Sequence, residues 1–119
     1  PMNYNYIYNS EKQVYEAEVS INRETEPDVK VLFEKENIIL HADRHGNATF
    51  YDVAGNEIHK GKAESEISFS KIYVCIKEEK ISVHFPIIEW IDHYPNCDGE
   101  YDRWSERIVD NIYIYCPIK

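Results

Sequence analysis

Apolar and polar residues alternate along most of the chain before residue 86, and a period of two is the mark of β-strands. From Val14 to Ile21 the alternation is strict, and one face of this segment carries Tyr15, Ala17, Val19 and Ile21. Tyr4 to Tyr8 is rich in strand-forming residues. Asn9 to Lys12 supply turn chemistry between the two segments, so the pattern predicts a hairpin.

The same pattern predicts further strands over residues 29–33, 38–42, 48–53, 58–63, 67–76 and 81–85. The apolar phase shifts at Ser70-Lys71, which indicates a β-bulge or a sharp bend. Short connections, including the glycine-bearing loop Asp43 to Asn47 and the tight turn Ala54 to Glu57, favour antiparallel pairing of neighbouring strands. We therefore expect a mainly β fold: an antiparallel sheet, a sandwich or a small barrel of about eight or nine strands.

The period changes after Pro86. Apolar residues between Ile87 and Tyr94 have helical spacing, so the sequence predicts a short helix there with Pro86 at its first position. Tyr101 to Val109 fits either period and favours a short helical turn, and a final strand is expected from Ile112 to Cys116. One or two short helices near the C-terminus would therefore complete an otherwise β structure.

Length and composition fit one domain spanning residues 1–119, because 43% hydrophobic and 29% charged residues are ordinary for a folded protein. We expect Pro1, which precedes Met2, to be the remnant of a tag. The three cysteines, Cys75, Cys97 and Cys116, show no CxxC spacing and favour a reduced, cytoplasmic protein. The sequence shows no apolar run of membrane-spanning length and no recognisable leader.

The formal net charge of −9 argues against nucleic acids and anionic membrane surfaces as partners, because both repel an acidic protein. It favours a basic protein partner, whose approach it would accelerate. The charge is concentrated in Pro86–Asp110, which contains both tryptophans and seven carboxylates against two arginines.

Aromatic side chains inside an acidic rim are typical of a protein-binding patch. On this basis the predicted partner-binding residues are Asp92, Tyr94, Asp98, Glu100, Tyr101, Asp102, Trp104 and Glu106. We expect Trp90 instead to plug one end of the core, because its neighbours Ile87 and Ile91 are apolar.

Two segments carry metal-ligand residue types. His41, Asp43 and His45 would share a face of an extended strand, but the loop that follows is expected to end the strand near Ala42. Acidic residues alternate around Gly99 as in an EF-hand calcium loop. The first and twelfth positions of such a loop need acidic ligands, but here they fall on Tyr94 and Ser105. No known catalytic motif is present, so we expect neither a metal, a cofactor nor an enzymatic activity.

Small size, strong acidity, a β-rich body and the absence of a catalytic motif or leader together resemble bacterial immunity proteins, such as those that guard against contact-dependent growth-inhibition toxins. The resemblance implies a protein that binds a basic toxin, in particular a nuclease, and occludes its active site with carboxylates. Two alternatives stay open. One is an acidic phage-encoded inhibitor of a nucleic-acid-binding enzyme. The other is a small β-barrel that holds an apolar ligand among Phe33, Phe50, Phe69 and Phe85, with His84 as its polar group.

Overall fold

A computed structural model describes residues 7–22, 24–25, 27–65, 68–77, 79–92 and 104–118, with the backbone alone for Asp92 and Trp104. A single 3-10 turn, Glu34–Glu36, accompanies nine strands within these residues. The strands are β1 (Ile7–Asn9), β2 (Val14–Ser20), β3 (Asp28–Phe33), β4 (Ile38–Asp43), β5 (Asn47–Asp52), β6 (Glu57–Lys62), β7 (Lys71–Lys77), β8 (Lys80–Asp92) and β9 (Trp104–Pro117). The prediction of a mainly β fold of eight or nine strands is confirmed.

The strands form two antiparallel sheets, a five-stranded sheet in the order β1-β2-β7-β8-β9 and a four-stranded sheet in the order β3-β4-β5-β6. The β1–β2 hairpin is present as predicted, with Tyr8 opposite Tyr15. The chain then leaves this sheet, builds the four-stranded meander, and returns to place β7 beside β2. Because the described strands lie in two sheets, the closed small barrel is wrong, and the two-sheet arrangement holds.

One hydrophobic core lies between the sheets and draws on the buried faces of both. Phe33, Phe50 and Phe85 are almost completely buried in it, and the rings of Phe69 and Phe85 are 5.0 Å apart. Burial of a phenylalanine side chain stabilises a fold by about 1.5–3 kcal/mol. Alternation therefore predicted most of the buried residues of this core.

The N-terminal edge of the five-stranded sheet shows one departure from that pattern. Ala17, Val19 and Ile21 are buried as expected, whereas Tyr15 is 52% exposed. Its ring packs instead against that of Tyr8 on β1, with 5.0 Å between their centroids.

The predicted helix from Ile87 to Tyr94 is wrong over its described part, because β8 continues as a strand to Asp92. The helical turn predicted for Tyr101 to Val109 is also wrong from residue 104 onward, where β9 begins. Tyr94 and residues 101–103 lie outside the described residues. The helical spacing had another cause: this part of β8 carries apolar side chains on both of its faces.

A bulge contributes to the change of period. Ile87 lies opposite Asp110, but the next residue, Ile88, lies opposite Ile108, so Val109 has no partner of its own. The extra residue shifts the alternation of inward and outward side chains on β9 but not on β8. The last pair between β8 and β7 is Tyr73↔His84, so β7 no longer lies beside β8 at Pro86. Proline has no backbone N–H to donate, and a strand tolerates it where no neighbouring strand needs that hydrogen bond.

Two hairpin turns use the same five-residue motif, Asp-x-x-Gly-Asn, at Asp43–Asn47 and at Asp52–Asn56. In each, one aspartate oxygen accepts hydrogen bonds from the backbone N–H groups two and four residues later. The other oxygen accepts the side-chain amide of the asparagine, at 2.9 Å and 3.0 Å. The glycines have φ of +87° and +90°, the conformation that such turns require. The two copies of the motif begin nine residues apart in the sequence.

Backbone hydrogen bonds join the first of these turns to the crossover from β6 to β7. The Gly46 carbonyl accepts the N–H of Ala63 at 2.8 Å, and the Arg44 carbonyl accepts the N–H of Phe69 at 2.7 Å. The crossover ends where the Ser70 carbonyl accepts the N–H of Ile21 at 2.7 Å, and β7 begins at the next residue. The phase shift at Ser70-Lys71 therefore marks a bend between crossover and strand.

Alanine at Gly46 is expected to destabilise the protein more than alanine at Gly55. Both positions have left-handed φ, which costs an L-residue about 1–2 kcal/mol. A Cβ at Gly46 would also overlap the Ala63 carbonyl oxygen, whereas a Cβ at Gly55 would meet nothing within 4 Å. Urea unfolding of the two variants measures the difference, and equal losses would contradict the packing of this turn against the crossover.

The turn aspartates are expected to make stability depend on pH in the acid range. Burial alone would raise the pKa of Asp43, but the hydrogen bonds from Asn47 and His45 lower it overall. Hydrogen bonds from the backbone and then the side chain of Asn56 lower the pKa of Asp52. A pKa lowered by folding gives stability that is complete above the ordinary aspartate value of about 3.9 and is lost as pH falls through the folded value.

The measurement is the thermal midpoint of unfolding from pH 6 downward, for the parent and for Asp43→Asn with Asp52→Asn. Below about pH 4 the midpoint of the parent should fall more steeply than that of the double variant, because asparagine has no proton to bind. Parallel curves would show that these two carboxylates do not contribute.

Candidate functional site

The far ends of β8 and β9 form a two-stranded arm, defined here as residues 87–92 and 104–110. Here β8 and β9 pair only with each other among the described strands, as far as the last pair, Asp92↔Trp104. Five consecutive residues of β9, 106–110, are exposed, so neither face of the strand is covered here. The arm thus extends beyond the two-sheet core and holds the two ends of the segment 93–103 side by side.

The predicted partner-binding residues fall into three groups. Tyr94, Asp98, Glu100, Tyr101 and Asp102 lie outside the described residues, as do His93 and the acidic alternation around Gly99. Asp92 and Trp104 are described by backbone alone and face each other as the last pair of the arm. Glu106 is the member whose side chain is described, and it is exposed.

Cations of the chain itself neutralise part of the acidic surface on the arm. The Glu106 carboxylate lies 3.5 Å from the Lys71 ammonium, and Glu89 accepts a 2.7 Å hydrogen bond from Arg107. Burial alone would lower the pKa of Lys71, but Tyr73, Glu18 and Glu106 raise it overall. The Arg107–Glu89 pair is exposed on both sides, so water screens it and it contributes little to stability.

Trp90 is not a plug for the core: 61% of its surface is exposed. It lies opposite Glu106 on the outward face of the arm, one position along from the Ile88↔Ile108 pair. Its indole borders a shallow groove of about 170 Å³ between the arm and the end of the β6–β7 crossover, where Lys71 and Ser68 also lie. Sequence reasoning missed Trp90 as a surface residue. Ile81, Val83 and Phe85 point into the core. If the same alternation is continued along β8, Trp90 falls on the outward face.

The histidine and aspartate residues considered as metal ligands have other roles. His41 Nε2 lies 2.8 Å from an Asp28 oxygen on the neighbouring strand, and Asp43 is occupied by the turn it organises. Across the described parts of the chain, histidine, cysteine and acidic side chains form no group of three that could hold a metal ion.

His84 does not face the phenylalanine core. It alternates with the inward Val83 and Phe85, so it lies on the outward face of the five-stranded sheet, where its ring centroid is 4.4 Å from that of Tyr113. Its Nε2 and Ser82 Oγ are 3.0 Å apart. Burial lowers the pKa of His84, which keeps the ring neutral at pH 7. The four phenylalanines therefore lack the polar group that an apolar-ligand site was expected to use.

The two described cysteines, Cys75 and Cys116, are free and buried. Burial raises the pKa of both thiols, which disfavours the reactive thiolate. Cys97 lies outside the described residues.

None of the helical structure that the described residues form is long and apolar enough to cross a membrane. Comparison with protein-family models, with curated proteins and with solved structures found no match.

Removal of the Trp90 side chain is expected to leave stability nearly unchanged, because most of its surface is already in water. Trp90→Ala should change the free energy of unfolding by about 0.5 kcal/mol or less. The matched control is Phe85→Ala in the same strand, which is fully buried and should cost about 3–5 kcal/mol. Urea unfolding compares them. A loss at Trp90 as large as that at Phe85 would restore the plug interpretation.

Proposed function

We propose that this chain is an immunity or inhibitor protein that neutralises a basic toxin, in particular a nuclease, by covering its active site with an acidic surface. The observation that supports the proposal most is the arm. Its paired strands hold the two ends of residues 93–103, the acidic segment, side by side and away from the core. A surface presented in this way can enter a concave active site that a flat sheet face could not reach.

Charge supplies the specificity in this proposal. Seven carboxylates and two arginines occupy Pro86–Asp110 in a chain whose net charge is −9. A nuclease active site is built to receive phosphates, so carboxylates at matching positions would find cationic groups already in place. Close charge pairs across such interfaces couple by about 1.5–7 kcal/mol. Asp98 and Asp102 are the carboxylates to test first, with Tyr101 and Trp104 as the aromatic anchors.

The phage-encoded inhibitor remains a second candidate, because it would use the same acidic surface against a nucleic-acid-binding enzyme. The identity of the captured protein separates the two. The apolar-ligand alternative has less support, because His84, its expected polar group, lies on the opposite face of β8 from the buried Phe85.

The proposal predicts that the tagged chain retains a basic protein from lysate of its native host at low salt, and that the retained protein cleaves nucleic acid unless this chain is present. Affinity should fall as salt rises, because screening weakens attraction between charged surfaces. Asp98→Asn with Asp102→Asn should raise the Kd at least tenfold, measured by calorimetry against the purified partner.

The control removes two exposed carboxylates elsewhere, by Glu57→Gln with Glu64→Gln, and changes the net charge by the same amount. If both double variants bind alike, net charge alone is responsible and the acidic segment is not the interface. A partner that is itself acidic would contradict the proposal as a whole.

A further inference from the structure

The outward face of the five-stranded sheet carries a row of four polar and aromatic side chains. Register places Glu18 opposite Tyr73, Tyr73 opposite His84, and His84 opposite Tyr113, on β2, β7, β8 and β9 in turn. Neighbouring strands are about 4.8 Å apart, so the row measures about 14 Å from carboxylate to last ring. It lines an open groove of about 630 Å³, whose rim includes Ile108 and Asn111.

This arrangement is complementary to a planar cation. A carboxylate at one end can accept hydrogen bonds from a guanidinium, while tyrosine rings provide faces on which its plane can stack. His84 between the tyrosines is neutral, so it does not repel the cation. An ammonium group is less suited, because it cannot stack and donate to a carboxylate in the same plane.

Cations of the chain itself already occupy parts of this face. The Lys12 ammonium lies 4.0 Å from Glu16, and the Lys80 ammonium lies 4.6 Å from the centroid of the Tyr115 ring. Lys12 is 70% exposed, so an incoming group can displace it at small cost. Lys71 lies at the Glu18 end of the row, where its ammonium is 3.5 Å from Glu106. Burial alone would lower the pKa of Lys71, but Tyr73, Glu18 and Glu106 raise it overall, so an incoming cation has to share these groups with it.

We propose that this groove is a second docking site, which takes an arginine side chain presented by the basic partner. The inference rests on the proposed function for the source of the arginine. A second copy of this chain is the less suitable occupant, because two proteins with a net charge of −9 repel each other. Ile108 on the rim belongs to the outward face of the arm beside Trp90, so the groove and the arm form one continuous surface.

The direct test uses an acetylated tri-arginine peptide and its tri-citrulline counterpart, which has the same shape without the charge. Titration into isotopically labelled protein, followed by NMR, should give saturable shifts at Tyr73, His84 and Tyr113 for tri-arginine only. Glu18→Gln and Tyr113→Leu should each weaken tri-arginine binding at least fivefold. The matched controls, Glu57→Gln and Tyr51→Leu on the four-stranded sheet, should have no effect.

Equal binding of tri-citrulline, or shifts confined to other surfaces, would overturn the site. So would unchanged affinity in both Glu18→Gln and Tyr113→Leu. With the purified partner, Glu18→Gln should raise the Kd at least tenfold. If it does not, the groove is not a docking site for that partner, while the proposed function is still decided by Asp98 and Asp102. If no basic partner is retained, the proposed function fails and the peptide titration alone decides whether the groove recognises guanidinium.

Discussion

Hydrogen bonding between β8 and β9 places the arm with Trp90 and Glu106, and it sets His84 beside Tyr113 on the outward face of the sheet. The two strands pair from Lys80↔Pro117 to Asp92↔Trp104, and the first half of that ladder is anchored because β8 also pairs with β7 over the core. The second half pairs with no third strand among the described residues, and residues 106–110 of β9 are exposed. One continuous ladder therefore extends from a buried sheet into the arm, where Lys71 at the start of β7 pairs with Glu106 and where residues 93–103 begin and end.

The chain separates its apolar and charged groups in an unusual way. Core residues on β8 are confined to one face as far as Phe85, after which isoleucine and tryptophan occur on both faces. Exposed apolar residues such as Trp90 and Ile108 beside carboxylates are typical of surfaces that are covered by another protein. The outward face of the sheet continues this surface through Tyr113 and Tyr115, which are stacked 6.0 Å apart.

Alternation along the sequence predicted the strands before Pro86 and most of their buried residues, and turn residues predicted both glycine turns, because each depends on contacts that are local or on one face of one strand. It could not predict that β2 pairs with β7, since fifty residues of chain intervene and any strand of similar pattern could have competed. It failed at Ile87 to Asp92, where exposure of both faces imitates a helical period. The predicted partner-binding residues lie on and between β8 and β9, and their role stays a prediction. The exposure of Trp90 and the row around His84 were not predicted, because both depend on which face of a strand points outward.

The bulge at Val109 has a consequence for the behaviour of the protein in concentrated solution. In the part of the chain that the structure describes, β9 is an edge strand of fourteen residues, and a long straight edge is a template on which identical molecules can assemble into fibrils. An unpaired residue bends the edge, and Glu106, Arg107 and Asp110 place charges along it. Edge-to-edge stacking of copies is thereby discouraged while the same strand stays open to a different protein.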